Sequence, residues 1–376
     1  MTRTDNSPTT TDAGPSEDPA GPAHPPKPGA ADAARPGLTP IAARQRSITG
    51  LRDSPAVDVE RAAAALAGVA RRTRVVASAH LSSRVGAPVW LKCENEQHTG
   101  SFKLRGAYTA AALGDPDARA RGVVAASAGN HAQGVAFAAA RFHVPAEIFV
   151  PAGANPLKVA RTRRWGARVN HVPGGVAAAL AAADEYAAAG HRLLVHPFDD
   201  PTVISGQATI GLELLEQVPD LATVVVGVGG GGLVTGLAVA IKERRPDVRI
   251  IGVQAEGAPS FARSWRAGHL VEAPTATIAD GMAVARAGRL TLELASSLLD
   301  DVVTVGEEAF WAAMATLLRE DGQVVEPAGA AGTAALLAHP GLAQGPTAVI
   351  LSGGNIDLDT ARTVETLAAR PLAAVR

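Results

Sequence analysis

Beyond its first forty residues the chain alternates short β-branched apolar runs with longer, alanine-rich stretches of helical periodicity. PVWLKC (88–93), GVVAAS (122–127), AEIFVP (146–151), RVNHVP (168–173) and RLLVHPF (192–198) predict strands. TVVVGV (223–228), RIIGVQ (249–254) and the run entering LSGGN near the end predict three more. Between them LRGAYTAAAL (104–113), HAQGVAFAAARF (131–142), PLKVARTRRWG (156–166), GVAAALAAADEYAAAG (175–190) and ATIGLELLEQV (208–218) predict helices. Strands separated by helices of this length predict parallel βαβ units, buried on both faces, and so an α/β fold. Ligands in such folds sit in loops beyond the carboxyl ends of strands. Four loops fit that position: the segment before Lys103, residues 128–130, residues 229–232 and residues 352–355.

Residues 1–40 hold nine of the 26 prolines and no aromatic residue, which predicts a Pro/Ala-rich disordered tail over residues 1–45. The start, MTRTDNSPTT, has no apolar core of a signal peptide, so the cytoplasm is the expected compartment. With 35 Lys+Arg against 36 Asp+Glu the net charge is −1, which argues against nucleic acid or an anionic membrane as the main partner. The single cysteine, Cys93, excludes an intrachain disulfide framework and reads as a small core residue. Residues 221–241 form an uncharged run long enough to span a membrane by count. Four consecutive glycines at its centre argue instead for strand, loop and helix.

That loop, GVGGGGLVTG, permits two readings. Gly227, Gly229 and Gly232 satisfy G-x-G-x-x-G between a strand and a helix, with Glu256 after the next strand, as a dinucleotide site requires. Four adjacent glycines also suit several backbone amides converging on one phosphate at a helix N-terminus. The loop alone leaves nicotinamide nucleotide, a monophosphate cofactor and a tight packing turn open. Lys103, in Thr-Gly-Ser-Phe-Lys between a strand and a helix, is a candidate for chemistry that needs a neutral amine.

Taken in order, ENEQHTGSFKLRGA, SAGNHAQGVA, HPFDDPTVISGQATIGLEL, VGVGGGGL, VQAE, IADGMAV, EPAGAAG and LSGGNID resemble the signature segments of fold type II pyridoxal-phosphate enzymes. Within that family they resemble the threonine dehydratase (threonine/serine ammonia-lyase) branch. The resemblance implies a tryptophan synthase β-like fold with the active site between two parallel-sheet α/β domains. The large cofactor-binding domain would comprise residues 46–118 and 199–376, and the small one residues 119–198. It implies pyridoxal 5′-phosphate bound covalently to Lys103, with Phe102 against its ring and Asn130 on its phenolic oxygen. Gly229, Gly230, Gly231, Gly232 and Leu233 would cradle the phosphate, and Ser352 would lie beside the pyridine nitrogen. Ser127, Ala128, Gly129, Asn130 and His131 would hold the substrate carboxylate. For Asn130 an ordinary helix cap, and for His131 a plain first-turn position, are the competing readings.

The implied reaction converts a 2-amino-3-hydroxy acid, L-threonine first and L-serine second, to a 2-oxo acid and ammonia. Lys103 would take the Cα proton, and a neutral hydroxyl at Ser352 would leave the cofactor a weak electron sink. Serine racemases of this family place a serine where this chain has Ala128, and a methyl group cannot return a proton. A racemase, a 3-hydroxyaspartate ammonia-lyase and a catalytically silent cofactor or amino-acid binder are the alternatives. Glu256 matches one acid of a family cation site, but Ser260, Phe261 and Ala262 fill the stretch where a second is expected, so no metal is expected. The matched segments run to Asn355 of 376 residues, which resembles the short form without a C-terminal regulatory domain, working as a homodimer or homotetramer.

Overall fold

The computed structural model describes residues 57–369, so the tail expected over residues 1–45 lies outside the described residues. Among the described residues ten strands form two sheets: β1 (Val75–Ala77), β2 (Val89–Lys92), β3 (Val123–Ala126), β4 (Ala146–Pro151), β5 (Arg168–Val172), β6 (Leu193–Leu194), β7 (Thr223–Gly227), β8 (Arg249–Ala255), β9 (Asp301–Val305) and β10 (Thr347–Ile350). The larger sheet has the order β1-β2-β10-β7-β8-β9, and the smaller β5-β4-β3-β6. Every pairing is parallel except β1 with β2. Val224, Val225 and Val226 of β7, with Ala348, Val349 and Ile350 of β10, are essentially inaccessible. Such near-continuous apolar strands are what a sheet covered on both faces demands.

Most elements fall where the hydrophobic pattern puts them, and the departures have local causes. RLLVHPF pairs only through Leu193–Leu194. Downstream the His196 ring turns the chain, its Nδ1 accepting from the amides of Phe198 and Asp199. The helix expected from Ala208 begins at Pro201, because the Asp200 carboxylate accepts from the amides of Thr202 and Val203. The helix read over residues 156–166 ends at Arg163. Strands β1 and β9 are additional to the pattern-based reading, as are several helices, among them Val59–Leu66, Glu307–Asp321, Ala331–Ala338 and Leu358–Ala368. The long uncharged run is β7, the glycine loop and the helix Gly232–Lys242, and among the described residues no helix is long and apolar enough to cross a membrane.

Two helices meet at glycines. A Cβ on Gly206 would lie 2.6 Å from the Gly106 Cα, and one on Gly106 would lie 2.8 Å from the Val203 carbonyl. Helix Lys103–Leu113 therefore lies backbone-close against helix Pro201–Gln217. Beside that crossing sits a charge cluster that is buried except at the edge of Glu213. The Arg105 guanidinium donates to both oxygens of Glu94, to Glu213, to Thr209 Oγ1 and to the Arg71 carbonyl. Lys92 Nζ donates to Glu213, to Gln217 and to the Thr73 carbonyl. Lys92, Glu94 and Arg105 are each at most 1% exposed. Two cations thus balance two anions, with every guanidinium nitrogen engaged. Burial alone would push the Glu94 carboxyl up, but Arg105, through charge and hydrogen bonds, holds it below its ordinary value.

Removing one member leaves the others buried without their counter-charge, which costs about 3–5 kcal/mol. Glu94→Gln is therefore expected to lower unfolding free energy by about 3 kcal/mol near neutral pH, measured by urea titration. A carboxyl depressed in the folded state stabilises above its unfolded pKa and loses that contribution as pH falls through the folded value. The gap between parent and Glu94→Gln should thus narrow on acidification below about pH 4.5. A gap under about 1 kcal/mol at pH 7 would show that the cluster is not a structural requirement.

Candidate active site

The ends of β2, β3, β7 and β10 feed the four loops, and these close around one cavity of about 930 Å³. Phe102, Lys103, Ser127, Ala128, Gly129, Asn130, His131, Gly229, Gly230, Gly231, Gly232, Leu233 and Ser352 all line it. Glu256 does not; it is exposed beyond β8. Among the described residues no three His, Cys, Asp or Glu side chains gather as a metal set. Cys93 is fully buried, and burial pushes its thiol up to about 12, as for an inert core residue.

Lys103 is the first residue of its helix, directly after Phe102. Its Nζ donates to the Pro197 carbonyl at 2.7 Å and stands 5.2 Å from the centre of the Phe102 ring. Burial lowers its pKa to about 8, with Glu326 opposing the shift. About a tenth of this amine is then neutral at pH 7, far more than for a surface lysine.

The glycine loop has the form of an anion cradle. Gly231 holds φ at +105° and caps helix Gly232–Lys242. Among the described residues, the backbone amides of Gly229, Gly230, Gly231, Gly232 and Leu233 donate to no protein acceptor. A Cβ on Gly230 would lie 2.4 Å from the Phe198 ring, and one on Gly232 3.0 Å from the Phe198 carbonyl, so the loop admits no side chains there. Five free amides at a helix N-terminus, with a reactive lysine in the same cavity, fit a phosphate-bearing aldehyde cofactor.

In the same cavity Gly129 caps helix Asn130–Phe142, and Asn130 is its first residue rather than the cap. The Asn130 side chain donates to Glu326 Oε1 and accepts from Asn355 Nδ2 at 2.7 Å. His131 is buried, with Nε2 2.9 Å from the Val195 carbonyl. Burial, helped by the Lys103 charge, lowers its pKa to about 3, so the ring is neutral. Facing a carbonyl, Nε2 must carry the proton, which leaves Nδ1 an unpartnered buried acceptor. The buried Ser352 hydroxyl makes only a long contact, 3.4 Å, to the Ala328 carbonyl.

Four ionisable residues of this cavity, Lys158, Asp280, Arg286 and Glu326, have no role in the sequence reading. Glu326 is buried, and desolvation raises its carboxyl above the ordinary range despite the Asn130 hydrogen bond and the charges of Lys158, Arg161 and Lys103. Lys158, on helix Pro156–Arg163, pairs with Asp280, on the turn Asp280–Met282. For Glu326 a signal did exist, an acid set between apolar Val325 and Pro327 inside EPAGAAG.

Residues 66–353 match the family described as pyridoxal-phosphate dependent enzyme. The L-threonine ammonia-lyase of Geobacter sulfurreducens is 46% identical over 300 residues, covering 78% of this chain and 74% of the relative. Among solved structures, a threonine deaminase from T.th. superposes with TM-score 0.75 at 38% identity, covering 83% of this chain and 99% of that one. Maize serine racemase superposes with TM-score 0.79 at 34% identity, covering 83% and 97%. The fold, the lysine at the strand-to-helix junction and the amide-lined glycine loop agree with these matches: the chain belongs to the pyridoxal-phosphate dependent enzyme family.

Proposed function

We propose that this protein is a threonine/serine ammonia-lyase: it eliminates water from a 2-amino-3-hydroxy acid, and hydrolysis of the released enamine takes that water back and gives a 2-oxo acid and ammonia. L-threonine is the first substrate and L-serine the second. The observation that carries this reading is Lys103, with its depressed pKa, in one cavity with the free amides of residues 229–233. The threonine ammonia-lyase and threonine deaminase among its relatives support the substrate class.

Pyridoxal phosphate, when bound, supplies the electron sink that makes the substrate Cα proton acidic. Lys103 would hold the cofactor and, once displaced by the substrate amine, take that proton at Nζ; a buried amine is well matched to this at neutral pH. The amides of Gly229, Gly230, Gly231, Gly232 and Leu233 would bind phosphate, and Phe102 would pack on the ring. Asn130, fixed between Glu326 and Asn355, would orient the phenolic oxygen. Ser352 would meet the ring nitrogen with a neutral hydroxyl, which does not enforce a positive ring. Residues 127–131, leading into a 13-residue helix, would hold the substrate carboxylate through backbone amides and the Ser127 hydroxyl, from which the Gly129 amide, now donating to Ser127 Oγ, would have to turn. The small-domain span of residues 119–198, against residues 46–118 and 199–376, belongs to the same reading and is supported by the separate four-stranded sheet. A cytoplasmic homodimer or homotetramer completes it.

The cofactor-loaded protein is expected to release 2-oxo acid and ammonia from L-threonine and L-serine, and Lys103→Ala to lose about a thousandfold or more in kcat. Cofactor bound through Lys103 without turnover of either amino acid would identify a silent binding protein instead.

The likeness to maize serine racemase makes racemisation the second reading. It needs a proton donor on the substrate face away from Lys103, and Ala128, which lines the same cavity and stands where the family's racemases carry a serine, would offer only a methyl. Ala128→Ser should raise D-serine formation from L-serine by about tenfold, followed by chiral chromatography. An unchanged rate would count against a missing second base.

A further inference from the structure

The charged side chains lining the cavity are the cations Lys103, Lys158 and Arg286 and the acids Asp280 and Glu326. They are not equally available. Lys103 belongs to the reaction. Arg286 is exposed at the mouth, where water screens it. Lys158 is the remaining cation: its side chain is 19% exposed, and burial lowers its pKa while Glu326 and Asp357 oppose that shift. Its ammonium is taken by Asp280, a half-exposed side chain that also lines the cavity. Among the described residues this is the one ion pair that joins residues 123–194, which hold the smaller sheet, to the rest of the chain.

We propose that the Lys158–Asp280 pair sets the substrate class: Asp280 occupies the one inner ammonium a second carboxylate could use, and so restricts the cavity to 3-hydroxy amino acids with an uncharged β-substituent. This rests on the ammonia-lyase reading and selects within it. A 3-hydroxyaspartate molecule brings two carboxylates. The helix at Asn130 accommodates the first, but the second would meet the carboxylates of buried Glu326 and half-exposed Asp280 and an apolar wall that includes half-buried Leu180 and buried Met282, and would lose part of its water there. An ionised carboxylate desolvated without a cation is strongly disfavoured, whereas the methyl group of threonine is favoured by the same wall. Exclusion by an occupied cation differs from exclusion by size, since it is reversed by removing a charge and adding no space.

Asp280→Asn keeps the shape and frees Lys158. The test measures 2-oxo acid release from L-threonine and from 3-hydroxyaspartate by the loaded parent, Asp280→Asn, and Asp280→Asn combined with Lys158→Met. The parent should favour threonine in kcat/KM by about a hundredfold or more. Asp280→Asn should move the ratio about tenfold toward 3-hydroxyaspartate, and the added Lys158→Met should cancel that gain. An unmoved ratio overturns the proposal, as does a gain that survives Lys158→Met, which would point to Arg286. Asp280→Ser carries the same comparison should the Asn variant not fold. A parent inactive on both substrates, with cofactor bound, would sink the ammonia-lyase reading instead. The pair is then tested by titrating the bound cofactor's absorbance with L-aspartate and L-alanine: Asp280→Asn should tighten L-aspartate about tenfold relative to L-alanine, and equal binding by parent and variant overturns the proposal.

Discussion

The position of Lys103 depends on a cluster of charges of which only Glu213 touches water. Lys92 ends β2, Glu94 lies in the turn that follows, Arg105 is two residues beyond Lys103, and Glu213 is on the neighbouring helix. Arg105 satisfies all its donors only when the first turn of helix Lys103–Leu113 sits in one orientation. The glycine contact between Gly106 and Gly206 fixes the same helix along its length. A lysine that must present its amine into a cavity is thus held by a neighbour two residues away whose alternatives are all costly. Specificity of position, more than net stability, is what such a cluster contributes.

Charge neutrality recurs inside the cavity at a smaller scale. Burial keeps Lys103 partly neutral and His131 wholly so, and it raises Glu326. Asp280 answers Lys158. What remains unanswered is a set of backbone amides, at residues 229–233 and at the start of helix Asn130–Phe142, which attract anions without carrying a formal charge. Two such anion sites facing one lysine match the two ends of the proposed assembly, the phosphate of the cofactor and the carboxylate of the amino acid.

The four loops were legible in the sequence because each follows an apolar strand and breaks its pattern with glycine or asparagine, as SAGN, GGGG and SGGN do. The core strands were legible for the same reason, since TVVVG and TAVI are buried almost throughout. β9 escaped because its burial is broken by half-exposed residues, so DVVTV lacks a continuous apolar run. β1 is three residues long. The start of helix Pro201–Gln217 was signalled by Asp200 and Pro201, but Thr202, Val203, Ser205 and Gly206 are weak helix formers that hid its first turns. Glu326, Lys158 and Asp280 are far apart in sequence, and only the folded chain brings their charges to one cavity. The ring of Phe198 that forbids a side chain on Gly230 is likewise a tertiary fact.

Everything proposed for this cavity requires that it hold pyridoxal phosphate on Lys103. Borohydride reduction of the loaded protein, followed by proteolysis and mass spectrometry, tests that most directly. One modified peptide is expected, carrying the reduced cofactor on Lys103, with Lys158 unmodified. Label on Lys158 or spread over surface lysines, with the peptide containing Lys103 unmodified, would contradict it.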